Sequence, residues 1–205
     1  MVRSVKSINA AVDELARRER CFAEVLERHG KPEPRSSEPG ATTLLRTIVG
    51  QQVSVAAARS MWNKLEAAFG SPPELAKLLK ASDEELRAAG MSRQKAGYIR
   101  SLAELVLSGE LDLDGLPDDD EEAIAHLVKI KGIGRWSAEI YLLFAEGRED
   151  VWPAGDLAVQ IEIGRLLGLP DKPSEKQLRE LAEAWRPHRG AAAVLAWHSY
   201  NSAVL

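Results

Sequence analysis

Helix start and stop signals recur along this chain, and no stretch of it alternates as a strand does. Ser54 stands ahead of Val55, Ala58, Trp62, Leu65 and Phe69, which share one face at helical spacing, and Gly70 follows them. Ser82-Asp83-Glu84-Glu85 and Ser174-Glu175-Lys176-Gln177 have the form in which a serine hydroxyl and a side chain three residues on satisfy each other's backbone N–H groups. Gly90 is a stop signal. Ser92 opens a further segment with Ile99, Leu102, Ala103 and Val106 inward and Gly109 past its end. Val12, Leu15, Phe22, Val25 and Leu26 predict one opening helix that stops near Gly30, and Pro32, Pro34 and Pro39 mark a loop over residues 31–40. Leu178, Leu181 and Trp185 repeat the helical spacing near the end. With β-branched residues sparse, the chain is predicted to be all-α.

A length of 205 residues with 45% hydrophobic content suffices for a substantial core, in one large domain or two small lobes. Cys21 is the only cysteine, so no intrachain disulfide forms, which fits a reducing cytoplasm. Four histidines without metal-type spacing argue against zinc. Residues 1–6 lack an apolar leader and no run of 18 apolar residues occurs, so the expectation is a soluble, cytoplasmic protein without a membrane partner. The net charge of −4 offers no overall attraction to a polyanion, so any nucleic-acid contact has to rest on a local patch.

Such a patch is predicted around Lys131-Gly132-Ile133-Gly134-Arg135-Trp136-Ser137-Ala138. Residues 121–128 read as a helix with Ile124, Leu127 and Val128 on one face, and Trp136, Ile140, Leu143 and Phe144 place a second helix from Arg135 onward. Gly132 and Gly134 suit a tight hairpin between them, because glycine adopts positive φ and lets another backbone come close. The free N–H groups at the second helix's start, beside the positive end of its dipole, suit a phosphate oxygen. His126, Lys129, Lys131 and Arg135 crowd the segment, with Glu139 the only nearby acid by sequence. Twenty residues after Trp136 comes a carboxylate, Asp156, at the end of Val151-Trp152-Pro153-Ala154-Gly155-Asp156.

This helix, Gly-Ile-Gly hairpin and helix, with an acid at the end of a Gly/Pro-rich turn, resembles the helix-hairpin-helix (HhH-GPD) DNA glycosylases of base-excision repair. The resemblance extends from about Thr42 to the C-terminus. Leu44 to Ser54, with Gly50-Gln51-Gln52, is similar to the helix and turn that open the glycosylase core. Gly90-Met91-Ser92 with Lys95, Ala96, Tyr98 and Ile99 is similar to a second signature, and Trp185-Arg186-Pro187 with Arg189 and Trp197 to a third. Their order most resembles the DNA-3-methyladenine glycosylase II branch, in a compact form without an N-terminal β-rich lobe.

The resemblance implies two helical lobes with a cleft between them: residues 42–149 holding the hairpin, and residues 1–41 plus 150–205 forming the other, with Asp156 at the cleft. It implies a monomeric, monofunctional glycosylase that flips alkylated purines such as 3-methyladenine out of damaged double-stranded DNA. Asp156 would be catalytic, with Trp136, Trp152 and Gln51 at the base pocket. Gln52, Lys131, Gly132, Ile133, Gly134 and Arg135 would meet DNA. The carbonyls of Val128, Ile130 and Ile133 would hold a monovalent cation. No other cofactor is implied, since Cys21 alone cannot ligate the iron–sulfur cluster that some relatives carry.

Two departures bear on this. Trp136 stands where bifunctional relatives have a lysine nucleophile, and an indole forms no Schiff base. Gln52 stands where the best-known member of the branch has an apolar wedge. A glycosylase for oxidised or mismatched bases, or a non-catalytic hairpin protein that binds damaged DNA, are the alternatives. The residues also admit plainer roles. Asp156 precedes Leu157-Ala158-Val159-Gln160-Ile161 and is placed to cap a helix, which is compatible with catalysis. Trp136 is open to a core role and Gln51 to bonding a turn. Trp62 and Trp197 read as core, Arg93, Lys95 and Arg100 as a solvated face, and residues 118–122 as a helix start favoured by the dipole.

Overall fold

The computed structural model describes residues 6–203, which are helical with no strand among them. Residues 1–5, part of the segment that lacks an apolar leader, lie outside the described residues. The helices are α1 (Lys6–Arg18), α2 (Arg20–His29), α3 (Ala41–Gly50), α4 (Val55–Phe69), α5 (Leu75–Lys80), α6 (Asp83–Ala88), α7 (Arg93–Leu107) and α8 (Asp120–Leu127). They continue as α9 (Arg135–Phe144), α10 (Leu157–Leu166), α11 (Glu175–Leu181) and α12 (Arg189–Ala203), with a 3-10 turn at Ala182–Trp185. Among the described residues no helix is long and apolar enough to cross a membrane.

The punctuation works as chemistry. Ser54, Ser92 and Asp119 each accept a backbone N–H three residues on, from Ala57, Lys95 and Glu122. Ser82 and Ser174 form complete capping boxes with Glu85 and Gln177. Two expectations change. The opening segment is two helices, because Glu19 is extended at φ −126° and ψ 115°; the break lets α1 and α2 each bury a face against α12. Val55 is 88% exposed, since the buried face of α4 starts only at Trp62 and continues through Leu65 and Phe69.

The chain divides into two compact units, Glu38–Tyr141 and the described parts of Met1–Ser37 with Leu142–Leu205. The divisions fall four and eight residues before those read from the sequence. The Gly40 N–H donates to the Tyr141 hydroxyl at 2.7 Å, which ties the approach to α3 into the first unit. Past Tyr141, the Phe144 carbonyl accepts the Ser37 N–H at 2.9 Å and its ring lies 5.7 Å from that of Trp197, so the last turn of α9 belongs to the second unit.

In Glu38–Tyr141, α7 packs on α3, α5 and α6, burying Ile99, Leu102 and Ala103. In the other unit α12 is central, packing on α1, α2 and α10. Ala191, Ala192, Ala193 and Ala196 keep its surface shallow where these helices approach, and Phe22, Trp152 and Trp185 fill the space beside it as edge-on ring pairs at 5.2 and 5.5 Å.

Gly190 is where that approach is tightest. A Cβ there would lie 2.6 Å from Leu143 Cδ1 and 2.7 Å from the Glu149 carbonyl oxygen, the latter backbone that cannot rotate away. Gly190→Ala is therefore expected to cost about 2 kcal/mol and lower the melting temperature by about 4–8 °C in a thermal unfolding scan.

Candidate functional site

The hairpin is built from its two buried isoleucines. Ile130 and Ile133 are buried in the core of Glu38–Tyr141, and the Ile133 N–H closes the turn on the Ile130 carbonyl at 3.0 Å. With those side chains anchored, the Lys131 N–H is held by Ser101 Oγ at 3.1 Å and the Gly132 carbonyl by the Gln51 amide at 2.7 Å, while Gly134 faces outward. Gly132 is left-handed at φ +85°, and a Cβ there would lie 2.2 Å from the Tyr98 ring. Gly134 needs no such angle: only Gly132 of the two has positive φ, and a Cβ at Gly134 would meet nothing within 4 Å. Gly134 is exposed and its carbonyl accepts the Ala138 N–H at 3.0 Å, making it the first acceptor of α9. The N–H groups of the first turn of α9 point where a helix binds an anion.

The expected cationic patch is narrower than its sequence. Arg135 donates through Nε to Glu139 at 2.9 Å and through a terminal nitrogen to Glu121 at 2.8 Å. Glu139 is not the only acid within reach, because the chain between α8 and α9 brings Glu121 across from fourteen residues away. The bond to Glu121 holds the guanidinium charged, its pKa pushed further up, and its charge is balanced within the protein. Lys129 and Lys131 are exposed, with no carboxylate within salt-bridge reach among the described residues, and they carry the positive field of the hairpin.

Gln51 takes the turn-bonding role: its Nε2 donates to the Gly132 carbonyl at 2.7 Å. Gln52, next to it, is exposed at φ +55°, a conformation uncommon outside glycine. Of the basic cluster on α7, Arg93 is the solvated side chain that the sequence predicts, while Arg100 and Lys95 are not. Arg100 bonds Asp83 at 2.6 Å and the Ala81 carbonyl at 2.9 Å, and that pairing pulls the Asp83 carboxyl below its ordinary range. Lys95 is only 9% exposed; its ammonium donates to the Val49 carbonyl at 2.7 Å, and burial pushes its pKa down. Lys95, Tyr98, Ser92, Met61, Gln51 and Gln52 line a cavity of about 300 Å³.

Asp156 belongs to the other unit. The segment before it is buried from Val151 to Ala154, and its N–H bonds the Pro153 carbonyl at 2.9 Å. Its Oδ1 accepts the Val159 N–H at 3.0 Å, so Asp156 caps α10, and the same oxygen accepts the indole N–H of Trp197 at 3.1 Å. Capping and a second, side-chain hold therefore coincide on one half-buried carboxylate.

The four tryptophans at issue sort differently from the sequence reading. Trp152 is a correction: at 3% exposed it is core, its indole N–H bonded to the Leu178 carbonyl at 3.2 Å, so it offers no open face to a base. Trp136 is 48% exposed at the start of α9 and is not core. Trp62 is core as expected, with the Arg46 guanidinium over its ring at 3.8 Å. Trp197 was read as core and is instead half-buried, positioned on Asp156. With Phe144, Val194, His198, Pro32 and Arg35 it lines a cavity of about 210 Å³. Periodicity scores an indole as apolar and cannot see where its N–H points; its place in the third signature was the available signal.

Residues 45–187 match the family described as HhH-GPD superfamily base excision DNA repair protein. The chain is 33% identical over 161 residues to DNA-3-methyladenine glycosylase 1 of Schizosaccharomyces pombe, covering 75% of this chain and 69% of that one. Its fold is similar to the crystal structure of DNA-3-methyladenine glycosidase from Bacillus halodurans, with a TM-score of 0.83, 32% identity, and coverage of 93% of this chain and 88% of that one. It is likewise similar to the S. pombe 3-methyladenine DNA glycosylase (Mag1) in complex with abasic DNA, with a TM-score of 0.79, 28% identity, and coverage of 96% and 97%.

Gly132→Ala combines a positive-φ penalty with overpacking on Tyr98 and is expected to cost at least about 2 kcal/mol. In thermal unfolding, Gly132→Ala/Tyr98→Ala is expected to be less destabilised than the sum of the single changes, because the second change removes the ring but not the φ penalty.

Proposed function

Since the chain belongs to the HhH-GPD superfamily of base excision DNA repair proteins, we propose that it is a monofunctional DNA glycosylase that hydrolyses the N-glycosidic bond of alkylated purines such as 3-methyladenine. The observation that carries this reading is Asp156, fixed at the start of α10 by the Val159 N–H and the Trp197 indole. A base inside a duplex is out of reach, so the nucleotide must be flipped out at an unstacking cost of about a few kcal/mol, which damage lowers. Breaking the bond places positive charge on the sugar. A carboxylate held beside C1′ stabilises that charge, and it is placed to orient or deprotonate the attacking water. Alkylated purines already carry positive charge and leave readily, so no strong general acid is needed.

Damaged duplex DNA is the partner. The first-turn N–H groups of α9 with Lys131 suit a backbone phosphate, with Gln52 exposed beside the end of α3. The carbonyl oxygens of Val128 and Ile133 accept no hydrogen bond among the described residues, while that of Ile130 accepts one from Ile133. This donor set suits a monovalent cation, which would bridge to the phosphate. Trp136 in place of a lysine supports base release without strand cleavage, and the lone Cys21 supports a protein without an iron–sulfur cluster.

Release of free base from methylated duplex DNA by the purified protein tests the proposal. The wild type is expected to release methylpurine and leave nicks only after alkali. Asp156→Asn is expected to slow release by about 100-fold or more while DNA affinity and fold are kept, since asparagine still caps α10. Trp197→Phe, which keeps a ring and loses the N–H, is expected to slow release by about tenfold. Damage-dependent binding without release by the wild type would sink the proposal in favour of a non-catalytic binder.

A further inference from the structure

Within Glu38–Tyr141, the turn Gln51-Gln52-Val53-Ser54 after α3 and the hairpin at residues 131–134 are joined through α7. Three residues on one side of that helix, Lys95, Tyr98 and Ser101, make the connection. Lys95 donates to the Val49 carbonyl at 2.7 Å. The Tyr98 ring occupies the space a Cβ on Gly132 would need, and the Tyr98 hydroxyl accepts from Gln94 at 2.6 Å. Ser101 Oγ accepts the Lys131 N–H at 3.1 Å. Gln51 closes the circuit by donating to the Gly132 carbonyl at 2.7 Å. The spacing of 95, 98 and 101 is what places these side chains on neighbouring turns of one face.

Lys95 is the costly member of this circuit. An ammonium loses its hydration when buried, and here burial pushes its pKa down. Its partner is among the last carbonyls of α3, which have no acceptor role inside the helix and sit at the negative end of its dipole. A neutral donor would satisfy that carbonyl with a smaller desolvation penalty. The charge is instead spent where α3 gives way to Gln52 at φ +55°, a backbone angle that persists only when its surroundings impose it.

We propose that Lys95 is a positioning residue: by holding the carbonyl end of α3 to α7, it sets the spacing between the Gln51–Ser54 turn and the hairpin, so that the two meet DNA as one preformed surface. This rests on the duplex-DNA reading above and deepens it. Lys95 itself touches no substrate and acts through the Val49 carbonyl. Since Asp156 belongs to the other unit, loss of Lys95 falls on DNA binding rather than on the bond-breaking step.

The test uses the full chain as wild type, Lys95→Met, Lys95→Arg, Gln51→Leu and the Lys95→Met/Gln51→Leu double variant. Three quantities are measured well below the melting temperature: Kd for a duplex carrying a tetrahydrofuran abasic-site analogue, the single-turnover rate of base release from methylated duplex at saturating protein, and amide hydrogen exchange. Lys95→Met is expected to raise Kd by about tenfold, and Lys95→Arg to restore most of the loss. The saturated rate should stay within about threefold, because the chemistry is untouched. Exchange should rise in both the 51–54 turn and the hairpin, and the double variant should lose less than the product of the single losses. Should Lys95→Met fail to fold, Lys95→Gln, whose amide nitrogen sits one bond short of the position from which Nζ reaches the Val49 carbonyl, carries the same expectations.

A wild-type Kd in the folded variant, or a loss confined to the saturated rate or to melting temperature, overturns the role of Lys95 while leaving the glycosylase reading intact. A wild-type protein that binds no duplex overturns the glycosylase reading and the role of Lys95 together.

Discussion

A helix leaves its first N–H groups and last carbonyls without partners, and in an all-helical protein every loop begins and ends at such a deficit. This chain places its candidate chemistry where those deficits are met. Asp156 satisfies the start of α10, Lys95 the carbonyl end of α3, and the hairpin ends in Gly134, which gives α9 its first acceptor. The start of α9 lies at the positive end of its helix dipole, where a helix favours a phosphate. Structural need and recognition thus draw on the same backbone groups, so the proposed site needs no departure from the helical framework.

Charge follows a similar division. Arg100, Arg135, Arg165, Arg186 and Arg189 are paired with carboxylates inside the protein, on Asp83, on Glu121 and Glu139, on Glu162, on Asp150 and Glu183, and on Asp150 and Glu183. The exposed pair of Arg100 with Asp83 contributes little to stability, and all of these pairs remove much of the arginine charge from the outer field. The net charge of −4 therefore says little about the hairpin, whose field comes from Lys129 and Lys131. Lysine is a compact cation on a flexible stem, suited to a phosphate whose position the backbone N–H groups already define.

Under the proposed reading, Asp156 serves two ends with one carboxylate. A cap needs only an oxygen within reach of the Val159 N–H, which asparagine or serine also supplies. The Trp197 indole adds a restraint that capping does not require, from a helix that starts more than thirty residues away. Holding an acid from two sides fixes where its charge sits, and a fixed charge stabilises a developing cation without reorganising at the moment of reaction.

Most of the helices and their caps, the Gly-Ile-Gly hairpin and the cap position of Asp156 were legible in the sequence, because each depends on residues within about four positions of one another, whereas α5 and α12 were not read there. The break at Glu19 was not, since the same apolar spacing serves one helix or two until α12 is present to receive both faces. Side-chain destinations were also beyond it: Trp152 in the core, Trp197 on Asp156, Lys95 buried beneath Val49 and Glu121 on Arg135 each join residues between 14 and 46 positions apart. Spacing along the chain determined which elements form and where they stop. Only packing decided which polar atom each buried or half-buried side chain reaches, because that depends on how helices distant in sequence come together in space.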